Sequence, residues 1–432
     1  MKPNRPLLIA VALTLVTPLL RAEPAIYDED PIHYSASKPN DPAAQLQQWI
    51  TQGKVKLKSD GERGYLQSVL AALKIPASSQ TLVFSKTSFQ RDIISPKNPR
   101  ALYFDDDTYI GYVPGGDVVE IASTDPQLGT VFYTLDQNTR RPKLVRQTDN
   151  CLQCHGSTLT RDIPGLVVRS VFSDSRGLPI FTAGTFVTTH ESPLAERWGG
   201  WYVTGHLGNQ HHMGNQIWKE TDGPDPAPTT HVDNLSSYLD VSKYLTPESD
   251  VVALMVLEHQ VEAHNRLTRA NYRARTALRD EKALNDALHE PTVPGVHTES
   301  IQSRLKNAGE PLVEYLLFSG EAPLAEPVSG TTSFARDFAA RGPRDKNGRS
   351  LRDFDLKTRL FKYPCSYLIY SSSFDALPEA EKDYIYRRLY EILTGKDTSK
   401  DFAHLTPQDR TNILEILRDT KKGLPDYWTS GK

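Results

Sequence analysis

Residues 151–155 read Cys-Leu-Gln-Cys-His, and this short stretch holds two of the three cysteines in a chain of 432 residues. On one helical turn, two thiols three positions apart share a side, and the imidazole of the next residue swings in beside them. That arrangement suits covalent attachment of a haem: Cys151 and Cys154 reach the two vinyl groups of one edge, and His155 comes under the iron. Asp149 or Asn150 is placed to cap the turn and Gly156 to end it. With three Cys and twelve His, chance would produce the pattern in only about six of ten thousand such chains, so coincidence is a poor account of it.

Two other chemistries use the same cysteines. A structural zinc site needs four ligands, and Cys151, Cys154, Cys365 and one histidine would supply them. A redox-active Cys-x-x-Cys pair belongs in a thioredoxin-like βαβ unit, and the surrounding sequence does not read as one. Covalent haem is the stronger reading.

On Cys151, Cys154 and His155 the chain resembles the c-type cytochromes, in the form of a large bacterial cytochrome c domain protein. The resemblance implies one covalently attached haem c, thioether bonds from both cysteines and proximal iron ligation by His155. It covers five residues. The small cytochromes are all-helical, whereas this motif sits in a strand-rich stretch of a much longer chain.

The sixth iron position selects between functions, because Met or His suits an electron carrier and an open site permits small-molecule chemistry. Met213 lies in residues 205–215, a Gly-punctuated loop that also holds His206, His211 and His212, and it is the expected distal ligand. A histidine, Met255 or an open position are the alternatives; Met255 falls in an apolar helical run, where a Met fills core. Eight of the twelve His lie between positions 155 and 264, which points the group towards the haem.

Other polar patterns read more plainly. Glu258, His259, Glu262 and His264 share one helix, where a salt-bridged surface or a satisfied interdomain His outweighs a second metal or a proton relay. Arg266, Arg269 and Arg273 form a basic stripe, read as a solvated face before a contact for haem propionates or an acidic partner. Trp198, Trp201 and Trp218 bracket the His/Met loop as possible haem wall. Asp105, Asp106 and Asp107 make a polar turn, and Cys365 reads as a buried thiol.

The elements that must position these residues divide the chain. From Thr81 to about Val203, short runs rich in Val, Ile, Phe, Tyr and Thr (TLVFS, TYIGYV, VVEIAS, TVFYTL, LVVRSVF, IFTAGTFVTT, WYVTG) alternate with turn clusters and predict an antiparallel meander. Before it, Asp60 is placed to cap a helix carrying Leu66, Val69, Leu70 and Leu73. Residues 222–228 (DGPDPAP) read as a linker, and beyond it the pattern is helical. Thr246-Pro247 opens a long helix to about Ala283, and Thr406-Pro407 opens the last one, with Lys421 and Lys422 in its final turn. The expected fold is therefore α+β: a signal peptide over 1–22, a haem-binding α+β domain over 23–225 and a helical domain over 230–432.

Composition excludes more than it selects. With 50 Lys plus Arg against 53 Asp plus Glu, the net charge of -3 gives no sign of nucleic-acid binding. Lys2 and Arg5 precede a charge-free run from Leu7 to Leu20, too short to span a bilayer, and Ala22 suits the cleavage position. Export to the periplasm is expected, with no transmembrane domain and with an uncleaved anchor as the alternative. The sequence thus predicts an exported mono-haem cytochrome transferring single electrons to a redox partner protein. A peroxidase-like or oxidase-like haem enzyme with an open distal site, or a haem-based sensor or docking module, is the alternative.

Overall fold

A computed structural model describes residues 26–219 and 231–428; the expected signal peptide and the 222–228 linker lie outside them. The fold is the mixed one expected, with an antiparallel sheet in the N-terminal half and helices in the C-terminal half. Strands β1 (Thr81–Val83), β2 (Arg100–Phe104), β3 (Thr108–Tyr112), β4 (Val118–Asp125), β5 (Gly129–Asp136) and β6 (Leu144–Gln147) form a meander in chain order. Two further strands, β7 (Arg169–Val171) and β8 (Thr185–Val187), make a separate ribbon, and β9 (Trp201–Tyr202) returns to pair with β1. The runs LVVRSVF and IFTAGTFVTT therefore do not extend the main sheet.

Strands β2 and β6 escaped the sequence reading for a physical reason. The Ala-Leu-Tyr-Phe of β2 has no β-branched residue, and Leu-Val-Arg-Gln of β6 is half polar. Ladder partners on a neighbouring strand make up for weak intrinsic preference.

Residues directly opposite in the ladder share a face, so Val119, Ile121, Val131, Tyr133 and Leu135 point together to one side and Tyr109, Ala122 and Phe132 to the other. Helix α1 (Pro42–Thr51) covers the first side, where Tyr133 donates to the carboxylate of its cap residue Asp41 at 2.6 Å. Helix α2 (Leu66–Leu73) buries Leu66, Val69 and Leu70 as its spacing requires, but Asp60 does not cap it. That carboxylate instead accepts from the Glu62 and Arg63 amides of the preceding turn.

The second side meets the one-turn helix α3 (Leu152–His155) and the long helix α4 (Val251–Leu288). Helix α4 begins four residues later than Thr246-Pro247 suggests. Asp250 caps it by accepting from the Val252 and Ala253 amides, while Gln80 occupies the Thr246 and Glu248 carbonyls. Its first half is buried on every side. Around it pack α5 (Glu299–Leu316), α6 (Phe334–Ala339), α7 (Ser372–Asp375) and α8 (Glu379–Leu393), and on α8 packs α9 (Pro407–Thr420). The last carries the capping box of Thr406 and Asp409, and it ends before Lys421, whose buried amine pairs with Asp375.

One apolar cluster runs from Ile32 to Trp428, so the sheet half and the helical half share a core. Gly129 shows how tightly they meet: it turns β4 into β5 at φ +71, and a Cβ there would sit 2.5 Å from Thr268 of α4. No helix among the described residues is long and apolar enough to cross a membrane.

Candidate haem-attachment site

Backbone bonds open the turn that carries the motif. The Asp149 carbonyl accepts from the Leu152 and Gln153 amides at 3.1 and 3.3 Å, and the Cys151 carbonyl accepts from His155 at 2.9 Å. Cys151 is itself the cap residue and neither Asp149 nor Asn150 caps the turn through its side chain, while Ser157 Oγ and Thr160 Oγ1 donate to the Cys154 and His155 carbonyls at 2.8 and 3.2 Å. Gly156 ends it, where any Cβ would lie 2.8 Å from the Tyr27 ring. Leu152 points into the core, Cys151 is half-buried and Cys154 is exposed, all three cysteines of the chain being free thiols. Both thiols of the motif thus lie on one turn that is anchored from beneath.

His155 is held from a second segment. Its Nδ1–H donates to the Gly165 carbonyl at 2.9 Å, and the Gly165 amide donates back to the His155 carbonyl at 2.8 Å. Nε2 makes no hydrogen bond among the described residues. Burial lowers the His155 pKa, favouring the neutral ring, and the Phe132 ring lies 5.0 Å away at 37°. A backbone carbonyl on one ring nitrogen fixes the tautomer and leaves the other as the ligand atom. The carbonyl is itself fixed, because Asn265 of α4 clamps the next residue: its Oδ1 accepts from the Leu166 amide at 3.1 Å and its Nδ2 donates to the Leu166 carbonyl at 2.8 Å.

The charges nearby separate the competing chemistries. Burial, then Glu120, pushes the Cys151 thiol up to about 11, opposite to the depressed pKa a redox-active thiolate needs. Glu120 is ion-paired with Arg100 across the sheet. Cys365 is fully buried, its thiol pushed up to about 12. Among the described residues, Cys151, Cys154 and Cys365 do not gather with a histidine into a metal-binding group, so the zinc alternative has no site. The donor set at α3 suits a haem edge and iron instead.

Met213 is not brought into this site. It is buried with Phe172 and Trp218, in a cluster separate from the one containing Leu152 and Cys151. Its sulfur accepts from Ser170 Oγ at 3.5 Å. Met255 fills core within α4. Of the loop histidines, His206 and His211 are exposed, while His212 is buried, its pKa lowered to about 3 and its ring 5.3 Å from Trp198. The polar stretch of α4 is interior rather than surface: Glu258 pairs with Arg197 at 3.1 Å, His259 stacks with His190, and His264 donates to the Asp106 carbonyl at 2.8 Å. Of the basic stripe, Arg266 is drawn inward to pair with Glu262 at 2.7 Å and Glu191 at 3.2 Å, while Arg269 is half-buried and Arg273 exposed as a solvated face requires. Asp105 and Asp107 form the expected turn, both pushed up to about 6 by burial.

Gly165, Asn265 and Phe132 are the positioning residues that sequence reasoning missed. Pro164-Gly165 marks a turn, which gave a local signal without a partner. Asn265 gave none, being one polar residue among many in a long helix. In comparisons with known proteins, no family model, curated protein or solved structure matches the chain.

Proposed function

We propose that this chain is an exported c-type cytochrome carrying one haem c on Cys151 and Cys154, and that it passes single electrons to a partner protein. The reciprocal pair between His155 and Gly165 carries the reading, because it presents a neutral imidazole with Nε2 uncommitted beside two free thiols on one turn. The haem, when attached, supplies the one-electron couple. Cys151 and Cys154 hold its edge, Gly165 fixes the imidazole plane and Phe132 shields the ring. Export rests on the sequence of residues 1–22 and on the attachment of c-type haem outside the cytoplasm.

A haem enzyme or sensor with an exchangeable distal position is the second reading. The place of Met213, packed away with Phe172 and Trp218, favours it over a Met-ligated carrier.

One preparation tests both. The chain is expressed with a haem-attachment system, and absorption spectra are taken oxidised, reduced and under CO. Haem retained through denaturation in wild type and lost in the Cys151→Ala/Cys154→Ala double variant is expected; haem retained in that variant would refute the proposal. Prompt CO binding by the ferrous protein would select the enzyme or sensor, and an inert spectrum the carrier.

A further inference from the structure

We propose that His206, His231 and Asp233 bind one divalent transition-metal ion, independently of any haem at α3. Each offers one donor atom, and the three atoms lie within 4.8 Å of one another. Asp233 Oδ1 is 2.8 Å from Nε2 of His231 and 3.9 Å from Nε2 of His206. Tetrahedral ligands about 2.0–2.2 Å from one ion lie roughly 3.3–3.6 Å apart, and the two separations fall either side of that range.

The tautomer of His231 points the same way. Its Nδ1–H donates to the Gly205 carbonyl at 2.7 Å, which turns Nε2 to the Asp233 carboxylate oxygen at 2.8 Å, where the two can share a cation. The His206 ring stacks on His231 with centroids 3.5 Å apart at 22°, and its exposed side chain turns to bring Nε2 in plane with a shared ion.

The backbone holds the donors in place. Gly205 bridges to Val232 and His206 to Ser329, so the two ligand-bearing segments are fixed side by side. A backbone carbonyl behind a ligating imidazole is the usual outer support of a metal site. His206 and His231 border a cavity of about 130 Å³ that His212 also lines, which leaves room for water or a small ligand at a fourth position. Two imidazoles and one carboxylate select ions of the Zn²⁺, Ni²⁺ and Cu²⁺ kind over Mg²⁺ or Ca²⁺.

The test is calorimetric titration of the chelator-treated full chain with Zn²⁺ at about pH 7.5, where free imidazoles are neutral. One saturable equivalent is expected in wild type and in the Cys151→Ser/Cys154→Ser variant, which removes the thiols that would capture zinc in haem-free chain. His231→Ala and Asp233→Asn, both at exposed positions, are expected to weaken binding by roughly tenfold or more, and His297→Ala to leave it unchanged. No saturable binding in wild type, loss of it in the cysteine variant, or equal affinity in His231→Ala and Asp233→Asn would each overturn the proposal. None of these outcomes depends on haem, so failure here and failure at α3 are separable.

Discussion

His190 and His259 meet Nδ1 to Nδ1 at 2.8 Å in the core, so the two rings share one hydrogen. His259 Nε2 lies 2.8 Å from Ser366 Oγ, while His190 Nε2 is buried without a partner. Leaving an acceptor unmatched costs less than leaving a buried N–H, so His190 donates at Nδ1 and His259 donates at Nε2 to Ser366. Burial lowers both pKa values, that of His259 to about 3.

The sign of the resulting pH dependence is fixed. Above the unfolded pKa of about 6.5 both states are neutral and the contribution of each ring is complete; below it the unfolded chain takes up a proton that the folded chain refuses. Stability is therefore lost as pH falls. His259→Phe removes one such group, and its unfolding free energy from urea titrations between pH 6.5 and 5 is expected to fall less steeply, by up to about 1.4 kcal/mol per pH unit. An unchanged slope would show that His259 titrates in the folded state.

Arg197 and Glu258 are 4% and 0% exposed, and the guanidinium also donates to the Ser192 and His190 carbonyls. Arg197→Ala is expected to destabilise by about 3–5 kcal/mol, because it strands a buried carboxylate. The double variant Arg197→Met/Glu258→Met should cost less than that single change. Equal or greater loss in the double variant, read from denaturant unfolding, would show that the pair itself is strongly favourable.

Glu381 is buried against Gly309 with neither carboxylate oxygen hydrogen-bonded, and burial pushes its pKa up to about 8. Here the folded state holds the proton more tightly than the unfolded one, so this group's contribution is complete at low pH and is lost as pH rises towards 8. Glu381→Gln should therefore gain on wild type steadily from about pH 4.5 to 8, by up to about 1.4 kcal/mol per unit, and level off above. Parallel stability curves for the two proteins would contradict it.

Asn265 holds the segment that holds His155. Asn265→Ala frees both backbone groups of Leu166 from a buried side chain, for a loss of about 1–3 kcal/mol. Faster amide exchange over residues 156–166 is expected, and in haem-loaded protein a shifted reduction potential. A stability loss with an unmoved potential would make Asn265 structural only.

What was legible in the sequence follows the range of the forces involved. The helical turn over Cys151 to His155 is a five-residue object and was legible locally, apart from the side-chain cap expected of Asp149 or Asn150, which is absent. So were the last helix, announced by Thr406-Pro407, and most of the meander, whose β-branched runs alternate visibly. The start of α4 was misplaced because Gln80, distant in sequence, takes the carbonyls that the apparent cap would have used. Glu258 and Glu262 looked like surface because charge predicts solvent; only the positions of Arg197, Arg161 and Arg266 explain their burial. Met213 was expected as an iron ligand because Met is scarce, yet its neighbours Phe172 and Trp218 are set by tertiary packing that no local pattern announces.

The clamp between Asn265 and Leu166 also has a history in time. Ninety-nine residues separate the two, and the whole β7–β8 ribbon, β9 and the first half of α4 intervene. A chain emerging from its N-terminus supplies residues 151–166 well before the helix whose side chain clamps Leu166. The helical half thus fastens a segment laid down far ahead of it, and a chain stopped short of Asn265 would lack both bonds of that clamp.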